Sequence, residues 1–148
     1  MPKKTSFGFQ KPEDSPGLLL WQTTITWQRL IKKALAEYNI THPEFVILAI
    51  LLWFYECHQQ PTQVMMVELS KLDKMTLSQS LKKLTKNHLV TRREHAVDTR
   101  AKSVGLTSEG KALIKKLVPL VEKIDEDFFG KLNAAKQKSL IQILQTLN

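Results

Sequence analysis

The sequence predicts a mainly α fold with a small β wing: a winged helix-turn-helix, with further helices at the N- and C-terminal ends. Three observations carry this. Leucines at 77, 81 and 84 recur at the spacing of one buried helical stripe. Directly after them, Leu89 to Arg93 and Lys102 to Leu106 are short runs of strand character split by a polar stretch, which reads as a hairpin. Long segments of helical apolar periodicity lie on both sides of this unit, from Leu18 to Tyr38 and after Thr107.

Taken in order, residues 1–17 are rich in Pro, Gly and Lys and are expected to form a loosely held, flexible arm. The first helix then carries Leu20, Trp27, Leu30, Ile31, Ala34 and Tyr38 at helical intervals. Thr41-His-Pro-Glu44 reads as a capping box, with Glu44 reaching back to the Thr41 amide and Pro43 tolerated in the first turn. The second helix runs to about Cys57, and His58-Gln-Gln-Pro-Thr62 breaks it. Val64 to Leu72 is a short third helix, with Val67 and Leu69 to Leu72 available to the core. A very tight connection leads to the helix that starts near Asp73, which ends at Asn87 or His88 in a left-handed cap.

Beyond the hairpin, Thr107 caps a long helix with Leu113, Leu117, Leu120, Val121, Ile124 and Phe128 on one side. Pro119 falls inside it and is expected to kink it, because it removes a backbone donor and crowds the preceding turn. Asn133 caps a last helix with Leu140, Leu144 and Leu147 as its stripe. The terminal helices carry more apolar surface than one small domain can cover, so a homodimer is expected.

Composition narrows the class. At 148 residues with 43% hydrophobic content, the chain fits one domain with a real core. The single Cys57 excludes an internal disulfide framework and suits a reducing, cytoplasmic setting. Met1-Pro-Lys-Lys is not followed by an apolar segment, so export is not expected. Phe45 to Tyr55 is too short to span a bilayer, and no membrane partner is expected.

The net charge of +8 is concentrated in one region. Residues 71–116 hold twelve Lys and Arg against the four acids Asp73, Glu94, Asp98 and Glu109, and the remainder of the chain is neutral. All the excess therefore falls on the leucine-striped helix, the hairpin and the start of the next helix, as suits a surface matched to phosphates. On the face of that helix away from the leucines stand Met75, Gln79, Lys82, Lys83 and Lys86, with Thr76 and Ser78 on its flanks. Short hydroxyl and amide groups near the start of a helix can reach base edges, and lysines further along suit phosphates. For an isolated helix a solvated lysine face is the plainer explanation, but the hairpin that follows favours double-stranded DNA as the partner.

Within the hairpin lies Asp98-Thr-Arg100-Ala-Lys102, followed by Leu106-Thr-Ser-Glu-Gly110 at the next helix start. In these two motifs, their order and their spacing, the chain resembles the MarR family of bacterial transcription regulators, and by helix pattern the likeness extends from about Leu18 to Leu147. The resemblance implies a homodimer with 18–40 and 107–148 as dimerisation helices and 41–106 as the DNA-binding lobe. It implies an operator-binding transcription regulator, most often a repressor. Arg100 would enter the minor groove, and Asp98 would orient it or a neighbouring basic residue; Lys82, Lys83, Lys86, Arg92 and Arg93 would serve the backbone, and Lys102 of the wing motif belongs to the same DNA-binding set. Met75 would meet a thymine methyl, and Thr76, Ser78 and Gln79 would read bases. Against the family pattern, the turn before Met75 is about two residues short and His88 replaces a glycine, which bears on the angle of the reading helix.

No enzyme is expected. The histidines 42, 58, 88 and 95 are scattered, and no Gly-rich phosphate loop or nucleophile triad is spaced for catalysis. No metal or cofactor is expected either, since Cys57 and His58 are adjacent on a helix and point about 100° apart. The redox-sensing branch of the family carries its cysteine near the first helix, where this chain has none. Trp21, Trp27 and Trp53 are assigned to core or dimer packing rather than to a ligand cage. The family's small-molecule effectors bind between the two lobes, so an effector is a further partner that the resemblance implies. The rival reading is a winged-helix protein-interaction module that binds no DNA.

Overall fold

The computed structural model describes residues 5–94 and 102–148. A 3-10 turn, Pro12–Asp14, leads into α1 (Pro16–Ala36), α2 (His42–Glu56), α3 (Gln63–Ser70) and α4 (Lys74–Lys86). The wing is β1 (Val90–Glu94) and β2 (Lys102–Leu106), followed by α5 (Ser108–Phe129) and α6 (Ala134–Leu147). The first helix starts two residues earlier than expected. Pro16 supplies a preset φ at the first turn, and the Ser15 hydroxyl accepts from the Leu18 amide at 3.1 Å.

Each of the first four helices is followed by a left-handed residue that is not glycine: Asn39, His58, Lys71 and His88. After three of them, the next amide reaches back five residues: Ile40 to Leu35 at 3.3 Å, Gln59 to Phe54 at 2.9 Å and Leu89 to Leu84 at 3.0 Å. These bonds satisfy carbonyls that the helix ends would otherwise orphan, which offsets the strain of a side chain at positive φ. His88 adopts the left-handed conformation expected of that position.

One core joins the elements, with α2 at its centre. Ile47, Leu48 and Leu51 of α2 meet Ile31 and Leu35 of α1, Leu77, Leu81 and Leu84 of α4, Val90 and Val104 of the wing, and Ile114 and Leu117 of α5. In α3 the buried residue is Met66, whereas Leu69, expected in the core, is exposed. A helix of eight residues is barely two turns, too short for periodicity to choose its inner face. Leu30 is likewise exposed and Leu35 takes the buried place. Pro119 sits within the single helix α5, where the Lys115 carbonyl loses its donor.

The hairpin is antiparallel, pairing Val90 with Leu106 through to Glu94 with Lys102. Its inner edge is tied to the α2–α3 connection by the Val104 amide donating to the Pro61 carbonyl at 3.1 Å. The Thr107 amide donates to the Leu89 carbonyl, and the Thr107 hydroxyl to that of His88. There is no room for a side chain at Gly110, because a Cβ would lie 1.9 Å from the Leu89 carbonyl oxygen. The glycine therefore lets the first turn of α5 rest directly on the entry to the wing, which holds that entry against α5.

Candidate nucleic-acid interface

Asp73 starts the leucine-striped helix. Its carboxylate accepts from the Thr76 hydroxyl at 2.6 Å and from the Thr76 amide at 2.8 Å, and those bonds hold its pKa below the usual carboxylate value. Leu77, Leu81 and Leu84 are fully buried. On the opposite face Met75 is 71% exposed, and Gln79, Lys82 and Lys86 are exposed with it. Thr76 and Ser78 are half-buried, with the Thr76 hydroxyl committed to the cap.

Two cations of the expected set are occupied within the protein. The Lys83 ammonium donates to Glu44 Oε1 on α2 at 2.9 Å. The Arg92 guanidinium reaches from β1 to the Ser78 carbonyl at 3.0 Å, bracing α4 against the wing. Arg93 and Lys102 on the hairpin are exposed. Asp98 and Arg100, assigned to the wing tip, lie outside the described residues. Lys71 and Lys74 are exposed at the entry to α4, and sequence reasoning gave them no role although they fall within the charged stretch.

The capping box forms with one change. The Thr41 hydroxyl accepts from the Glu44 amide at 3.2 Å, but the Glu44 carboxylate accepts from that hydroxyl and from Lys83 instead of reaching the Thr41 amide. Further along the charged stretch, Lys111 lies 3.6 Å above the Tyr55 ring and Lys116 lies 5.3 Å from the Tyr38 ring. The positive charge of Lys111 at that ring pulls the Tyr55 hydroxyl below the ordinary phenol range. Part of the positive excess thus faces aromatic rings of this chain.

Beside α4 a cavity of about 820 Å³ opens between α1 and the start of α2, with Ile25, Arg29, Lys32, Ile40, His42 and Lys83 in its wall. Next to it, Trp27 donates to Asp125 at 2.7 Å, tying α1 to α5, and its ring meets the His42 ring edge-on at 5.1 Å. Burial holds the His42 imidazole below its usual pKa, opposed by the charge of Asp125. Trp21 and Trp53, assigned to core or dimer packing, are 67% and 70% exposed in the single chain.

The chain ends carry a different surface. No residue of α6 is buried, and Ile141, Ile143 and Leu147 are all more than half exposed. At the start of α1, Leu19, Leu20 and Trp21 are exposed too. Among the described residues no group of three or more His, Cys, Asp or Glu side chains could hold a metal, and no helix is long and apolar enough to cross a membrane.

Comparison with known proteins gives the same outline. A winged-helix domain family described as ArnR1-like matches residues 36–123. The chain is 35% identical over 139 residues to YdcH of Bacillus subtilis (strain 168), an uncharacterized HTH-type transcriptional regulator, covering 94% of this chain and 93% of that one. Its fold is that of BpsR from Bordetella bronchiseptica, whose DNA binding is regulated by 6-hydroxynicotinic acid: TM-score 0.83, 24% identity, covering 95% of this chain and 97% of BpsR. Mutant MarR from E. coli complexed with operator DNA gives a TM-score of 0.77 at 23% identity, covering 88% of this chain and 91% of that one.

Proposed function

The chain belongs to the MarR family of winged-helix transcription regulators, and on that premise we propose that it binds an inverted-repeat operator as a cytoplasmic homodimer and represses transcription there. In this reading 41–106 is the DNA-binding lobe, while 18–40 and 107–148 supply the dimer interface. Two copies of α4 enter successive major grooves about one helical turn apart, and two wings flank them. Met75 and Gln79 face base edges, with Ser78 beside them. Lys82 and Lys86 face phosphates, as do Arg93 and Lys102 of the hairpin, and Arg100 enters the minor groove next to Asp98.

The observation that carries this reading is the asymmetry of α4. One side is three fully buried leucines, and the other exposes Met75, Gln79, Lys82 and Lys86, with no element among the described residues lying over them. A surface that joins one thioether and one amide to lysines is chemically suited to a groove edged by phosphates. An effector fits the same scheme. The 820 Å³ cavity is of ligand size, and Arg29, Lys32, His42 and Lys83 in its wall suit a small aromatic acid, the class that regulates the BpsR neighbour. Occupation of that cavity, which touches α4 at Lys83, would release the operator.

Selection of bound sequences from a random duplex pool tests the proposal. Enrichment of an inverted repeat is the expected result. A pool that stays random after repeated rounds would instead favour the protein-interaction module.

A further inference from the structure

We infer that Glu44 is a positioning residue for the reading helix, acting through Lys83, so that a buried carboxylate on α2 sets the angle at which α4 meets DNA. This rests on α4 being the DNA-reading element. Glu44 is only 2% exposed although it stands in the first turn of α2, and a glutamate is almost never fully buried unless paired. Its Oε1 accepts from Lys83 Nζ and from the Thr41 hydroxyl, both at 2.9 Å, and its Oε2 is buried with no hydrogen-bond partner. A carboxylate in that state is costly to bury, and a cap needs only a fraction of it.

What the arrangement supplies is direction. The leucine stripe holds α4 against the core, but apolar contact is non-directional and resists slight rotation or sliding of a helix poorly. A charge-assisted hydrogen bond fixes one point at one distance. Among the described residues the Lys83–Glu44 pair is the only ion pair that joins two elements, since the other, Lys123–Asp127, lies within α5. At 100° per residue, Lys83 and Ser78 leave α4 on opposite flanks of the leucine stripe. Arg92 holds the helix at the Ser78 carbonyl, and Glu44 holds it at Lys83. The reading helix is thus tethered on both flanks, once from the wing and once from α2. Lys83 is a tether in this arrangement and not a phosphate contact.

Three full-length variants test this: Glu44→Met, which removes the acceptor and keeps the bulk, Lys83→Met, and the two combined. Each is measured against a panel of single-base operator changes, over a range of salt, and by denaturant unfolding. Both single variants are expected to flatten base preference at the same positions by about tenfold. The double variant should be no worse than either, and Glu44→Gln, which keeps an acceptor, should fall between wild type and Glu44→Met. The salt slope of Lys83→Met should equal that of wild type.

If Lys83→Met makes the slope shallower by about one per subunit while Glu44→Met leaves the base profile intact, Lys83 is a phosphate contact and the inference is overturned. It is equally overturned if the variants lose only unfolding stability and keep the wild-type profile. Should Lys83→Met strand the Glu44 charge and fail to fold, the uncharged double variant carries the same measurement. A wild-type protein with no base preference would remove the DNA-reading premise itself, a different result from any of these.

Discussion

Helices α4 and α6 are nearly equal in length, thirteen and fourteen residues, and both carry a leucine stripe, but their stripes have opposite fates. In α4, Leu77, Leu81 and Leu84 are fully buried by α2 and the wing, and what remains outside is polar and basic apart from Met75. In α6 nothing is buried, and Leu144 and Leu147 are 37% and 71% exposed beside Ile141 and Ile143. The difference shows what each helix lacks. The first is complete as a folded element and offers a surface suited to a charged partner. The second leaves its stripe open among the described residues, and in the proposed dimer the equally exposed start of α1 on a second copy would cover it.

Removing residues 133–148 should break the α6 half of this comparison and produce the largest effect. With that stripe gone, the dimer is expected to dissociate or the protein to lose solubility, and operator affinity should collapse with it, because one half-site binds far more weakly than two linked ones. Sedimentation velocity reads the outcome. A soluble, intact dimer after truncation would mean that α6 is covered by something other than the proposed interface.

The second prediction concerns the joint between the two regions. In a helix, Gly→Ala normally stabilises by about 1 kcal/mol. At Gly110 the added Cβ would sit 1.9 Å from the Leu89 carbonyl oxygen, so backbone has to move, and Gly110→Ala should cost about 3 kcal/mol net. Denaturant unfolding measures it, and a stabilised Gly110→Ala protein would show that α5 does not rest on the wing entry. The wing should shift relative to α4, so operator affinity is expected to fall as well.

How much of this could be read from the sequence depends on the range over which each feature is decided. The leucine stripe of α4, the caps at Thr41, Thr62, Asp73, Thr107 and Asn133, and the hairpin after His88 are set within a few residues, and local pattern finds most of them. Met66 was missed because α3 is too short for its periodicity to choose a face. The occupation of Lys83 was missed for a different reason. Its partner Glu44 is 39 residues away and looked fully accounted for by a local capping box. Arg92 is similar: nothing in Thr91-Arg-Arg93 distinguishes the arginine that braces α4 from the one left exposed. Strand alternation puts neighbours on opposite faces, but which face meets α4 is a tertiary fact.

The smallest expected effect sharpens the α4 half of the comparison and depends on helix orientation alone. Gln79 is exposed, one turn into α4, on the side away from the leucines. An amide there can make paired hydrogen bonds to adenine N6 and N7 in the major groove. Gln79→Ala removes both bonds and disturbs no packing, so the fold and the dimer should be unchanged. Preference at one base pair per half-site should weaken by roughly 1 to 3 kcal/mol, while non-specific affinity and the salt slope stay near wild type, since no charge is lost. Lys86→Ala supplies the contrast: it should weaken binding to every sequence and make the salt slope shallower, with the base profile kept. If Gln79→Ala leaves the base profile untouched while Lys86→Ala behaves as described, α4 lies on the phosphates but is turned about its axis from the assigned pose. The next side chain to test is then Ser78, whose flank Arg92 already holds toward the wing.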